Sequence, residues 1–170
     1  MSEEIIEKTT ESSSLENNER IFLVVVDDSP EMAVALRYAS RRAKHTKGRV
    51  ALLYVMESAD FQHWAAVGRL MEEEALEEGQ QVLQRHASVA KEISNTTPVL
   101  HLKSGNRRDE IMNLIEEDSS ILALVLAASA NRGGPGPLVS AFSSKFIGKL
   151  KVPLIIVPGN LTTEEIDAIT

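Results

Sequence analysis

The chain has 170 residues, 43% of them hydrophobic, enough for one domain with a proper core. Its net charge of −7 is carried by the two ends, about −4 in the first twenty residues and −3 in the last ten, so the body from Ile21 to Asn160 is near neutral and lacks the basic stripe that nucleic acid requires. There is no Cys, which excludes thiol catalysis, disulfides and thiolate metal sites, and no apolar run reaches membrane length.

Residues 1–20, MSEEIIEKTTESSSLENNER, read as an acidic, disordered arm. They lack the basic and apolar regions of a secretory leader, which points to a cytoplasmic protein without membrane attachment. Ile21 to Val26 (IFLVVV) is a continuous apolar run, the pattern of a strand buried on both faces. Ser29 then suits an N-cap, Pro30 the first helical position and Glu31 the first turn. Ala33, Leu36, Ser40 and Ala43 recur at helical spacing to about His45, and Gly48 is expected to stop that helix. The cations Arg41, Arg42, Lys44, Lys47 and Arg49 fall where that helix ends and complement its dipole.

Val50 to Val55 (VALLYV) reads as the second strand. A long helix is expected from about Asp60 to Ser94, with Phe61, Trp64, Val67 and Met71 on one face and Glu72, Glu73, Glu74, Glu77 and Glu78 on a solvated one. Pro98 follows the break. Val99 to Lys103 is a weaker, alternating strand, and Gly105-Asn106 turns into a helix with Ile111, Leu114 and Ile115 inward. Ile121 to Ala127 is the fourth strand. Leu138 to Leu150 is expected as one helix with Leu138, Phe142, Phe146 and Leu150 on its core face. Leu154 to Val157, bracketed by Pro153 and Pro158, is the fifth strand, and residues 159–170 form a tail with room for one short helix. Strands alternating with helices imply an α/β domain over residues 21–158, a parallel sheet with helices on both faces. Ligands in such sheets sit beyond the carboxyl ends of the strands, where the strand order reverses.

Two loops reach that place. Asp27 and Asp28 end the first strand; carboxylates there can bind a ribose hydroxyl, a base amine or a metal, or can merely cap the turn ahead of Ser29-Pro30. After the fourth strand comes Ala130-Asn131-Arg132-Gly133-Gly134-Pro135-Gly136-Pro137. Its glycines permit close backbone approach and Arg132 can reach a phosphate; the alternative is a connection whose prolines set a helix start. It is neither a Walker A loop nor a dinucleotide fingerprint. The four histidines lie on separate elements and no nucleophile elbow is present, so neither a catalytic triad nor a metal site is expected. Leu154, Ile155, Ile156 and Val157 are uncharged; at a sheet edge they invite pairing, most economically in a two-fold homodimer.

The apolar strand followed by Asp27-x-Ser29, the VALLYV strand after Gly48, the ILALVLAA strand with its loop, and the closing VPLIIVP together resemble the universal stress protein family, specifically a bacterial branch. The resemblance covers roughly Arg20 to Pro158. It implies a five-stranded parallel sheet of order 3-2-1-4-5, a dimer through the last strand, and a role in stress survival rather than a defined reaction. Some members bind ATP or AMP with a pattern of Gly, two residues, Gly, nine residues, then Gly followed by Ser or Thr. Those positions fall on Ala127, Ala130, Ser140 and Ala141, and none matches. The adenine-side Asp of binders corresponds to Asp27, and the second-strand residue flanking adenine to Val50. The resemblance therefore implies a stress-response dimer acting through partners without obligatory nucleotide; an ATP- or AMP-binding switch, using Asp27, Val50 and a nest at Gly133 and Gly134, is the alternative.

Overall fold

The computed structural model describes residues 19–27, 29–57, 65–131 and 133–170. Five strands, β1 (Ile21–Val25), β2 (Arg49–Met56), β3 (Val99–Ser104), β4 (Ile121–Ala128) and β5 (Leu154–Pro158), form one sheet. Between and after them run five helices: α1 (Met32–Thr46), α2 (Ala65–Ser94), α3 (Arg107–Glu117), α4 (Pro137–Ser143) and α5 (Thr163–Ile169). The strand order is β3-β2-β1-β4-β5 and every pairing is parallel. This is the expected α/β sheet of order 3-2-1-4-5. The order reverses between β1 and β4, so the cleft of this fold opens beyond their carboxyl ends.

All five residues of β1 are buried, which is why its run is unbroken by polar residues. Alternate residues serve opposite faces. Phe22, Val24 and Val26 pack with α1 and with Leu83, Ala87 and Ala90 of α2, whereas Leu23 and Val25 pack with Ile111, Leu114 and Ile115 of α3 and Phe142 of α4. Each fully buried apolar side chain contributes about 1.5–3 kcal/mol, so the layered arrangement follows directly from the pattern of apolar residues. The short α5 lies against α1: Ile166 is buried, and Asp167 accepts from Arg37 Nε at 2.9 Å and from its Nη2 at 2.6 Å.

Several local details depart from the sequence reading. Helical geometry in α1 begins at Met32, not at Ser29-Pro30, and Glu31 occupies the N-cap without a side-chain cap. Ser29 instead donates its amide to Asp27 Oδ1 (2.9 Å) and accepts from the Met32 amide (3.2 Å), an extra turn ahead of the helix. At the other end of α1 the left-handed residue is Lys47, at φ 55°. Gly48 is required for a different reason, since a Cβ there would lie 2.3 Å from the Arg20 carbonyl oxygen. Two of the cations near this end have acid partners: Arg41 lies 3.4 Å from Asp167, and Arg49 is 3.0 Å from Glu19.

α2 has 30 residues and is therefore about 45 Å long, well beyond the roughly 26 Å of the eight-residue β2. It meets the sheet from Gly79 onward, where a Cβ would stand 2.9 Å from Leu102 Cδ1 and 3.1 Å from the Tyr54 ring. Ahead of Gly79 the glutamates are exposed, as expected of a solvated face, and so is Met71. Phe61 and Trp64, and the side chain of Val67, lie outside the described residues.

The helix expected over Leu138 to Leu150 is broken. α4 ends at Ser143, and a separate 3-10 turn spans Ile147–Lys149. Ser143 and Ser144 donate their hydroxyls to the carbonyls of Val139 (2.6 Å) and Ser140 (2.5 Å), which compete with the helical ladder. The apolar stripe nevertheless keeps its purpose: Phe142 is fully buried, Phe146 stacks 5.4 Å from it, and Leu138 and Leu150 join the same core.

Candidate functional site

The carboxyl ends of β1 and β4 diverge because the chain leaves β1 toward α1 on one face and β4 toward α4 on the other. A narrow pocket of about 70 Å³ opens between them, with Val25, Asp27, Ser29, Ala127, Gly136 and Pro137 among its walls. A wider recess of about 310 Å³ lies beside it, lined by Glu57, Asn106, Arg107, Arg108, Pro137 and Leu138. Arg107, Pro137 and Leu138 line both, so the two adjoin along one groove as separate cavities. Its β1–α1 end carries the carboxylates of Asp27 and Glu31, and its α3 end the guanidinium groups of Arg107 and Arg108.

Asp27 sits half-buried in the wall with one oxygen committed to the Ser29 amide at 2.9 Å. The capping role and the place in the cleft are thus both realised. Ala127 lies in the wall too, still in strand register opposite Val157. Asp28 and Arg132 lie outside the described residues. Val50 is placed elsewhere: it is the second residue of β2, fully buried and paired with Phe22. The end of β2 that approaches the cleft begins three residues further on, where the Leu53 carbonyl accepts from the Val26 amide at 2.8 Å. The sequence pattern did not resolve which end of an all-apolar strand faces a ligand; the parallel register does.

The loop after β4 is folded on itself. Ser129 donates its amide to the Pro135 carbonyl (3.1 Å), Asn131 to Ser129 Oγ (3.3 Å), and Gly134 to the Asn131 carbonyl (3.3 Å). Those three amides, Gly134's among them, are spent inside the loop, and Pro135 and Pro137 have none to offer an anion. The left-handed positions are Gly134 (φ 98°) and Gly136 (φ 96°), and neither Ala127 nor Ala130 has positive φ. The alanines are therefore unstrained because the loop takes a path that places its turns on later glycines. Ala130 and Ser140 are exposed and Ala141 is half-buried; none of the three lines the narrow pocket.

Arg107 and Arg108 went unnoticed in the sequence, where Gly105-Asn106 read simply as a turn into a helix. The turn is as expected, with Asn106 Oδ1 accepting the amides of Arg108 (3.0 Å) and Asp109 (3.3 Å). The available signal was positional: two cations directly after the third strand fall at the ligand end of a parallel sheet. Among the described residues no group of His, Asp and Glu is arranged to hold a metal ion, and no helix is long and apolar enough to cross a membrane.

The sequence profile of the universal stress protein family matches residues 19–158. The chain belongs to that family. No curated protein sequence matches it. Among solved structures, a universal stress protein UspA from Lactobacillus plantarum superposes with a TM-score of 0.66 at 16% identity, covering 81% of this chain and 96% of that one. A universal stress protein solved in complex with cAMP gives 0.60 at 17% identity, over 85% of this chain and 100% of that one. One from Archaeoglobus fulgidus in complex with dAMP gives 0.56 at 19% identity, over 82% and 97%. At such identities the likeness establishes the shared fold. In this universal stress protein β5 is the sheet edge next to β4. Val157 is buried there, Leu154 and Ile155 are half-buried, and Ile156 keeps 41% of its surface exposed.

Proposed function

We propose that this chain is a cytoplasmic stress-response protein that works as a homodimer through protein partners and does not require nucleotide. The observation that carries this reading is the pocket at the β1–β4 switch. Its volume of about 70 Å³ falls far below the roughly 300 Å³ at which small-molecule sites begin. Ala127 stands in its wall at a position where nucleotide-binding members have glycine, and the following loop uses its amides internally. Among the described residues no group of acids and histidines is arranged to hold a metal ion there, and the reading assigns no reaction. The exposed edge of β5, with Ile156 outward, supports pairing of two copies through that strand. Acid extraction of the purified protein tests the reading: adenine nucleotide recovered at near-stoichiometric amounts would overturn it.

A second reading, a switch that binds AMP or ATP with at most slow hydrolysis, draws support from the relatives solved with cAMP and dAMP. Asp27 at the cleft and the adjoining recess are the features it would use. Millimolar nucleotide then raises the melting temperature; at a hundred times its Kd a ligand adds about 2.7 kcal/mol, or roughly 5–10 °C for a chain of this size. No shift with ATP, ADP or AMP would end this second reading.

A further inference from the structure

Among the described residues four buried side-chain atoms have no hydrogen-bond partner: Ser40 Oγ, Arg41 Nε, His101 Nε2 and Arg107 Nε. Arg41 Nε faces Asp167 at 3.4 Å, and neither Ser40 nor His101 lines the groove. Arg107 is the one that opens on the groove, and it lines both of its parts. Native folds retain few buried donors without acceptors, because desolvating an N–H without replacing its water is costly. Nε itself is closed off, but the Arg107 side chain is 29% exposed and lines the recess, so the rest of its guanidinium is open to an acceptor from outside the chain.

The acid nearest to Arg107 does not fill that need. Glu57 Oε1 lies 3.9 Å from Nε, beyond hydrogen-bond reach, and its side chain is 61% exposed. Arg108 lines the same recess, is exposed, and makes no ion pair among the described residues. Two guanidinium groups and one outward-turned carboxylate therefore leave the recess net positive. Planar guanidinium forks match phosphate oxygens in paired hydrogen bonds, and two of them match the charge of a phosphate dianion better than that of a single carboxylate.

We propose that the recess between the start of α3 and the start of α4 binds a phosphate group, free or as a monoester, held by Arg107 and Arg108. Its volume of about 310 Å³ leaves room for a small organic portion, and Pro137 and Leu138 give that portion an apolar wall. The site uses neither Ala127 nor the loop glycines. It is thus independent of whether those positions admit a nucleotide, and independent of the β5 edge.

Calorimetric titration of the full chain with sodium phosphate, AMP and adenosine, at matched ionic strength, tests the assignment. Phosphate and AMP are expected to give saturable binding and adenosine none; equal binding of AMP and adenosine would instead place recognition on the base and overturn the proposal. Arg107→Met and Arg107→Lys are each expected to weaken phosphate binding at least roughly tenfold, the lysine variant because its ammonium lacks the fork. Glu57→Gln, which removes the competing carboxylate, is expected to strengthen it. Absence of saturable phosphate binding at tens of millimolar, or unchanged affinity in both Arg107 variants, overturns the proposal. If Arg107→Met unfolds, as circular dichroism would reveal, Arg107→Lys and Glu57→Gln still decide. Light scattering on the same samples reads the oligomeric state separately, so loss of the dimer reading and loss of the phosphate site are told apart.

Discussion

Ile156→Lys bears most directly on how the molecule assembles. Val157 is already buried within the protomer, whereas Ile156 keeps 41% of its surface exposed on β5 and so has apolar area to contribute to a partner. Fully burying an isoleucine is worth about 1.5–3 kcal/mol, so covering the exposed fraction is worth about 0.6–1.2 kcal/mol. A two-fold interface uses the same patch twice, which doubles this to about 1.2–2.5 kcal/mol. That alone weakens the dimer by roughly ten- to sixtyfold, and two ammonium groups brought together and desolvated weaken it further. The protomer itself loses little, because lysine at a half-exposed edge position keeps its head in water. Light scattering across a concentration series, with circular dichroism to confirm folding, reads the effect. A folded Ile156→Lys protein whose dimer is as tight as the wild type's would refute the reasoning, as would a wild-type chain that stays monomeric at high concentration.

Three further outcomes are expected. Restoring glycine at Ala127, Ala130 and Ser140 together is expected to raise the affinity for ATP above the wild type's, at a stability cost of about 0.5–1 kcal/mol for each of the two positions inside regular structure; a folded triple variant with the wild-type response to ATP in a thermal-shift assay counts against a pocket closed by these side chains. Phe142→Ala empties the fully buried centre of the α3–α4 layer and is expected to cost about 3–5 kcal/mol in urea unfolding with an unchanged m-value; a loss well under that range means that α4 is not packed as described. Burial holds His101 below its usual pKa, with Lys103 acting in the same direction and Asp118 and Glu117 opposing. The unfolded chain takes up its proton near pH 6.5, so the contribution of neutral His101 is complete above that pH and declines as pH falls toward the depressed folded value. Burial, reinforced by Arg85, lowers His86 in the same sense. Thermal melts between pH 7.5 and 5, about a unit on either side of that value, are expected to show a smaller acid loss for His101→Gln than for the wild type; identical slopes would remove His101 from the account.

The strands were legible one by one because a parallel sheet buried on both faces demands unbroken apolar runs, and IFLVVV, VALLYV and ILALVLA supply them. The long helix was legible as far as its periodicity, but not the fact that it leaves the sheet ahead of Gly79. α4 was misjudged for a similar reason: the four-residue stripe from Leu138 to Leu150 is real, yet Ser143 and Ser144 turn their hydroxyls to the helix carbonyls and end it early. In the candidate site, Asp27 and Ala127 line the pocket because they stand at the ends of the two strands that flank the switch. Val50 was misplaced by the length of its own strand.

The order of elements and the lack of any cysteine were determined by the sequence alone, since each depends on residue identity or on spacing along one element. The tertiary structure decided what depends on two elements at once. Parallel register set which end of β2 meets the cleft, and the crossing of chains at the β1–β4 switch set a pocket of about 70 Å³. Most of all, it brought Arg107, thirteen positions past the end of the long helix and in no motif at all, to the same groove as Asp27, eighty residues earlier. A local pattern records which face of its own element is buried, but not which distant charge will stand across a cleft from it.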